Sequence, residues 1–290
     1  RQRQKLWIGT HLGGLNCLDL NSKRITCYLC SGNGRPKELA NIVCDILPHG
    51  EELLLATHDG VYSFEVATEH FTQLFQQGNE EERISLALDL QLDTRGRLWI
   101  GGAQRGAYCY DFATRELKLY SHQADDPNSL SSNGVSSIDV DDEGRLWFCL
   151  SETGLDLYRP ETDDFLHFDE RRNGLLSNCV YGACSISPNQ LLVITDKGFS
   201  CLDIAKGSFR NVDVSSGLPL SAINQKALFK TADHQIFIGG IDGLVSFAPE
   251  DLNPTPTTCQ LFPYRLYVND REVKVGDESG LLDKALSQTR

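Results

Sequence analysis

Leu98-Trp99-Ile100-Gly101-Gly102 is the stretch on which the reading of this chain turns, because it recurs. It returns as Leu6-Trp7-Ile8-Gly9-Thr10 and as Leu146-Trp147-Phe148, and in weaker form at 53–57, 191–195 and 236–240. Taking Trp7, Leu54, Trp99, Trp147, Leu192 and Phe237 as equivalent gives steps of 47, 45, 48, 45 and 45 residues. Each copy carries the same punctuation. A Gly follows within a few residues (Gly14, Gly60, Gly106, Gly154, Gly198, Gly243) and opens a second short apolar run; a polar turn and a third run come next. Upstream of most copies lies a further apolar run ending in a tight turn, such as Val135–Val140 before Asp141-Asp142-Glu143-Gly144.

Runs of about 4–7 residues with period two, bounded by Gly, Asp and Asn, are strands joined by hairpins. Four antiparallel strands per repeat of about 45 residues is the arithmetic of a β-propeller. The fold class is therefore all-β: a propeller of four-stranded blades, six blade motifs visible, with a parent ring of seven expected. In that order the Gly loops and inter-blade loops share one rim and the hairpin turns lie on the other. The first blade begins at its Trp strand, position 1 is Arg, and the chain has no Met. Together these read as a piece of a longer protein. The propeller is expected over 1–252. The segment 253–290 reads as a linker followed by the beginning of an Ig-like β-sandwich.

Composition narrows the function. Forty acidic residues against 27 basic ones give a net charge of −13, which argues against direct contact with nucleic acid, whose affinity rests on Lys and Arg at phosphates. No apolar run approaches the roughly 18 residues of a membrane-spanning helix. The motifs of serine hydrolases, zinc proteases, P-loops and dinucleotide folds are missing, so neither a catalytic residue nor a cofactor is assigned.

The copies resemble the two-component-regulator propeller repeat, whose pattern runs N-x-V-x-x-I-x-x-D-x-x-G-x-L-W-I-G-T and is followed by a Gly loop. Asn133 to Trp147 matches it closely, and 239–252 resembles the last propeller repeat before that family's Ig-like Y_Y_Y domain. Leu266–Val275 looks like the first hairpin of that domain. The resemblance implies a periplasmic sensor region of a hybrid histidine kinase that detects oligosaccharides and controls polysaccharide-utilisation genes. Its implied partners are an oligosaccharide or other small ligand, a preceding propeller, the Ig-like domain, and a second copy in a homodimer. A propeller lyase or glycosidase, and a protein-interaction propeller, are the alternatives.

Candidate ligand-binding residues are those the repeat places on the Gly-loop rim: His11, His58, Asp59, Gln104, Arg105, Glu152, Asp196, Lys197 and Asp242. Asn133, Asn178 and Asn224 join them from the inter-blade side. Such a mixed set suits hydrogen bonding to a polyhydroxylated ligand. Arg35, Lys37, Arg171, Arg172 and Lys197 could supply a basic patch there. Elsewhere the repeat favours packing roles. The three Trp sit mid-strand and are expected between blades rather than under a sugar. Cys17, Cys109 and Cys201 share one position with Ser63, Leu157 and Ser246, which marks a small packing site. Asp139-x-Asp141-x-Glu143-Gly144 resembles half a calcium loop but has Leu150 where the twelfth-position Glu belongs, so a hairpin turn is expected and no metal is assigned. Cys27-x-x-Cys30 lacks a second pair for zinc, few or no disulfides are expected, and the acidic runs 80–82 and 125–126 read as solvated loops.

Overall fold

The computed structural model describes residues 4–32, 35–75, 84–213, 220, 222–252, 266–268 and 271–275. They divide into two compact units, residues 1–249 and 250–290.

The first unit is built from antiparallel meanders that follow the repeat. Blade 2 holds strands Val43–His49, Glu52–Thr57, Gly60–Glu65 and His70–Gln73. Blade 3 holds Ala87–Leu92, Leu98–Gly102, Ala107–Tyr110 and Leu117–Tyr120. Blade 4 holds Val135–Val140, Leu146–Leu150, Leu155–Arg159 and Asp164–Phe168. Blade 5 holds Val180–Ser187, Gln190–Thr195, Gly198–Asp203 and Ser208–Asp213. In each the strands pair in sequence order, and the first strands of successive blades pack on one another at the centre.

Blades 1 and 6 have three strands each among the described residues. Blade 1 has Lys5–Gly9, Leu15–Asp19 and Ile25–Tyr28. Blade 6 has Ile223–Lys230, Ile236–Gly240 and Gly243–Phe247. After Phe247 the chain turns into a 3-10 helix, Pro249–Leu252, where Pro249 has no N–H to give to a fourth ladder. The flanking positions show the difference: Leu6 is 49% exposed, whereas its counterparts Leu98 and Leu146 are buried.

The repeated motif has a physical basis. Asp93 Oδ1 accepts the N–H groups of Arg95 and Arg97, while Oδ2 accepts Arg97 Nε at 2.7 Å and the Trp99 indole N–H at 3.1 Å. Asp141 does the same for Glu143, Arg145 and Trp147. One carboxylate thus closes the hairpin turn, holds an Arg and orients the Trp. The half calcium loop is this turn, with both Asp141 oxygens engaged. Trp99 then packs against Phe148 and Tyr158 of blade 4 at ring distances of 5.3 and 4.9 Å. Trp147 joins Val180, Ala183, Leu191 and Val193 of blade 5 in one buried cluster. Both Trp are fully buried between blades, as their mid-strand place predicts. Cys17, Cys109 and Cys201 are buried as well, and the nine described Cys are free.

The Gly loops need glycine. Gly106 lies at φ +96 and Gly154 at φ +103, and a Cβ there would sit 2.1 Å from Tyr120 O and 2.3 Å from Phe168 O. No side chain fits between the third strand's start and the outer strand's last carbonyl.

At the centre, three carboxylates stitch neighbouring inner strands. Asp45 accepts the Leu90 N–H, Asp89 the Ile138 N–H, and Asp139 the Ala183 N–H. Asp45 and Asp89 are equivalent, each directly after a register shift in its own inner strand; Asp139 lies two residues beyond the equivalent place, which Ser137 holds. Blade 6 contributes Lys226, in a bulged stretch at φ 58, whose ammonium contacts Asp89 and the Leu88 carbonyl and lies 3.8 Å from Asp45. Burial pushes the Asp89 carboxyl up, and the Lys226 charge opposes that shift.

In the second unit the described residues form the hairpin Leu266–Val268 with Arg271–Val273, where the sequence expects one. The expected linker 253–256, Cys259 and the turn 269–270 fall outside the described residues, as do Glu80–Glu82.

Candidate functional site

The Gly loops and inter-blade loops share one rim, and the structure sorts the candidate residues on it into three groups. His11 and His58, on adjacent Gly loops, meet edge to face with ring centroids 6.4 Å apart. Beside them, Asp59 accepts the Tyr62 hydroxyl, and Gln73 Nε2 donates to the Asp59 carbonyl at 2.9 Å. Lys37 donates to Tyr62 Oη at 3.3 Å and Gln73 Oε1 at 3.4 Å. Burial first, and Asp59 second, push the Tyr62 phenol well above its usual range, so it stays a donor.

Asn133 and Asn178 form the second group, and their polar atoms are engaged by backbone. The Asn133 side-chain carbonyl accepts the His122 N–H at 2.7 Å, and its main-chain carbonyl accepts the Gly106 N–H at 2.9 Å. Asn178 repeats this with Glu170 and Gly154, both at 2.9 Å. Asn41 does so two blades before Asn133, for Cys30 and Gly14. Each Asn staples the start of an inner strand to the preceding Gly loop.

The third group is exposed: Gln104, Glu152, Asp196, Lys197, Asn224 and Asp242, with Arg105 half-buried. Lys197 Nζ lies 3.7 Å from Glu170. Asn224 and Asp242 belong to blade 6. The Arg35 side chain lies outside the described residues.

A cleft of about 380 Å³ opens on this rim over blade 4 and the loops on either side of it. It joins Glu152, Asn178, Arg171 and Arg172 to residues that sequence reading did not propose, among them His122, Ser131, Thr153 and His167. Its floor is organised by Asp156, a fully buried carboxylate in the third strand of blade 4. Asp156 accepts the Ser131 N–H at 2.8 Å, the Ser131 hydroxyl at 2.9 Å and His167 Nδ1 at 2.7 Å. His167 Nε2 faces the Pro127 carbonyl at 2.9 Å. Both ring nitrogens of His167 face acceptors, a setting that only the doubly protonated ring satisfies in full. Its hydrogen bond to Asp156 is the main cause of a pKa above the usual histidine value. The equivalent positions in other blades are Asn16, Tyr62, Tyr108, Ser200 and Val245; an Asp in mid-strand was the available signal.

No family model and no curated protein matches the sequence. Solved structures do. The extracellular domain of a hybrid two component system from B. thetaiotaomicron superposes with a TM-score of 0.65 at 22% identity, over 83% of this chain and 31% of that one. Virginiamycin B lyase from Staphylococcus aureus gives 0.60 at 12% identity, over 84% and 80%. The WD40 propeller domain of Doa1 gives 0.57 at 15%, over 84% and 75%. The fold is a β-propeller. At these identities the likeness speaks to fold alone, and the chain spans about a third of the two-component protein's domain. Among the described residues no helix is long and apolar enough to cross a membrane.

On the opposite rim a second cleft, also about 380 Å³, lies between blades 3 and 4 and is rich in Arg. Arg97, Arg145 and Arg159 are bound there to Asp93, Asp141 and Asp164, which leaves them less charge to offer than the residue names suggest.

Proposed function

We propose that the chain is a ligand-sensing propeller from the extracytoplasmic, periplasmic part of a hybrid two-component sensor, and that it binds an oligosaccharide on its Gly-loop rim. The observation that carries this reading is the rim cleft: its volume lies in the range of small-molecule sites, and its wall of hydroxyl, imidazole, guanidinium and carboxylate groups matches a ligand rich in hydroxyls. The repeat's resemblance and the superposition on a two-component extracellular domain support the same class. In this reading the propeller is a non-catalytic part of a seven-bladed ring, flanked by another propeller and by an Ig-like domain. Ligand favours one arrangement of these parts in a homodimer, and the Ig-like domain passes that bias towards the membrane.

Isothermal titration calorimetry of the chain against a glycan panel tests the proposal. The expected result is saturable binding of at least one oligosaccharide, with no shortened product after long incubation. Absence of binding across the panel overturns the carbohydrate reading, and accumulation of cleaved product makes the chain an enzyme.

A further inference from the structure

We infer that the rim cleft over blade 4 recognises an uncharged saccharide, gripping a vicinal diol between Glu152 and Arg171, with His122 Nε2 as a further acceptor. This rests on the proposed sensing role and adds the place and the ligand class.

The charge balance of the cleft decides the class. The charge on His167, when protonated, is offset by Asp156 at 2.7 Å. Arg172 lies 3.4 Å from Asp169. Among the described residues Glu152 and Arg171 have no hydrogen-bond or ion-pair partner, and both line the cleft. One cation without an ion pair, Arg171, and two such anions, Glu152 and Asp126, thus face the ligand. A uronate would meet Glu152 and Asp126, and the chain's net charge of −13 adds to that repulsion. An ammonium sugar would meet Arg171 and Arg172. A neutral ligand meets no such opposition.

The donor and acceptor pattern decides the chemistry. Glu152 can only accept and Arg171 can only donate. His122 Nδ1 faces the Leu130 carbonyl at 2.9 Å and so carries its hydrogen there; in the neutral ring Nε2 is then an acceptor. A sugar hydroxyl both donates and accepts. Two adjacent hydroxyls can donate together to the two oxygens of a carboxylate while accepting from a guanidinium. Among the described residues no Trp, Tyr or Phe lines the cleft, so recognition there falls to hydroxyl configuration rather than to ring stacking.

The wall is already in place. Ser131 Oγ bonds Thr153 at 2.9 Å as well as Asp156. Asp169 caps the short helix Glu170–Asn173 by accepting the Arg172 N–H, and Asn178 accepts the Glu170 N–H, which fixes the segment that presents Arg171. Little ordering is left to oppose binding.

The test is calorimetry on the whole chain with three probes of matched length: neutral tetrasaccharides (malto-, cello-, xylo- and manno-), tetragalacturonate, and chitosan tetramer. A neutral tetrasaccharide is expected to bind most tightly. Glu152→Gln and Arg171→Ala, both at exposed positions that leave the fold intact, should each weaken it by about tenfold or more. Glu161→Gln on the opposite rim should leave it unchanged. Tighter binding of the uronate or the amino sugar overturns the inference. So does binding that both cleft variants leave unaltered, although the sensing role then survives. Failure of all three probes on the wild-type chain overturns the sensing role and this inference with it.

Discussion

The indole N–H of Trp147 shows how much one side chain does in this molecule. It donates to Asp141 at 2.8 Å while the ring fills the gap to blade 5. Trp147→Phe keeps part of the packing and loses the hydrogen bond, and should cost about 1–2 kcal/mol. Trp147→Ala also opens a cavity and should cost about 3–5 kcal/mol. Urea unfolding of the two variants measures both. His167 makes a prediction about pH. Its folded pKa is raised by Asp156, so its stabilisation is complete below the unfolded value of about 6.5 and is lost as pH rises through the higher folded value. Melting temperature should therefore fall upward from about pH 6.5 in the wild type, and His167→Gln should flatten that slope. The D-x-x-G-R-L-W turn was legible because the same letters recur at one spacing. The His167–Asp156 pair was not, because the two residues are eleven apart and meet only across paired strands.

At the scale of strands and loops, the order of elements in blades 2–5 could be read from the repeat, since a strand's period and its bounding Gly and Asp residues are local properties. The rim was less legible. Spacing placed Asn133 and Asn178 beside the site, but spacing does not show which polar atoms the backbone uses. Their side-chain carbonyls meet the N–H groups that the outgoing chain leaves without a ladder partner. Asn133→Ala should therefore destabilise by about 1–2 kcal/mol, and amide exchange at His122 should speed up. Gly106→Ala is a harsher test. The added Cβ meets the Tyr120 carbonyl at 2.1 Å on a left-handed backbone, and a loss of about 2 kcal/mol or more is expected by denaturant titration.

Across the whole first unit, the inner strands are tied by charge as well as by packing. Lys226 reaches from blade 6 to carboxylates of blades 2 and 3. Removing it in Lys226→Met leaves Asp89 buried without a counter-ion, at a cost of about 3–5 kcal/mol. Adding Asp89→Asn should restore part of that loss, which a double-mutant cycle measures. No sequence argument pointed to Lys226, because Asp89 lies 137 residues away, Asp45 further still, and neither belongs to a motif. The same holds for the rim cleft, which draws on blade 4 and the loops on either side of it. The proposed ligand site lies on the Gly-loop rim over blade 4. A crystal structure of the chain soaked with the neutral tetrasaccharides tests it most directly. Sugar density within hydrogen-bonding distance of Glu152 and Arg171 is expected. Sugar density confined to the opposite rim, between blades 3 and 4, would contradict it.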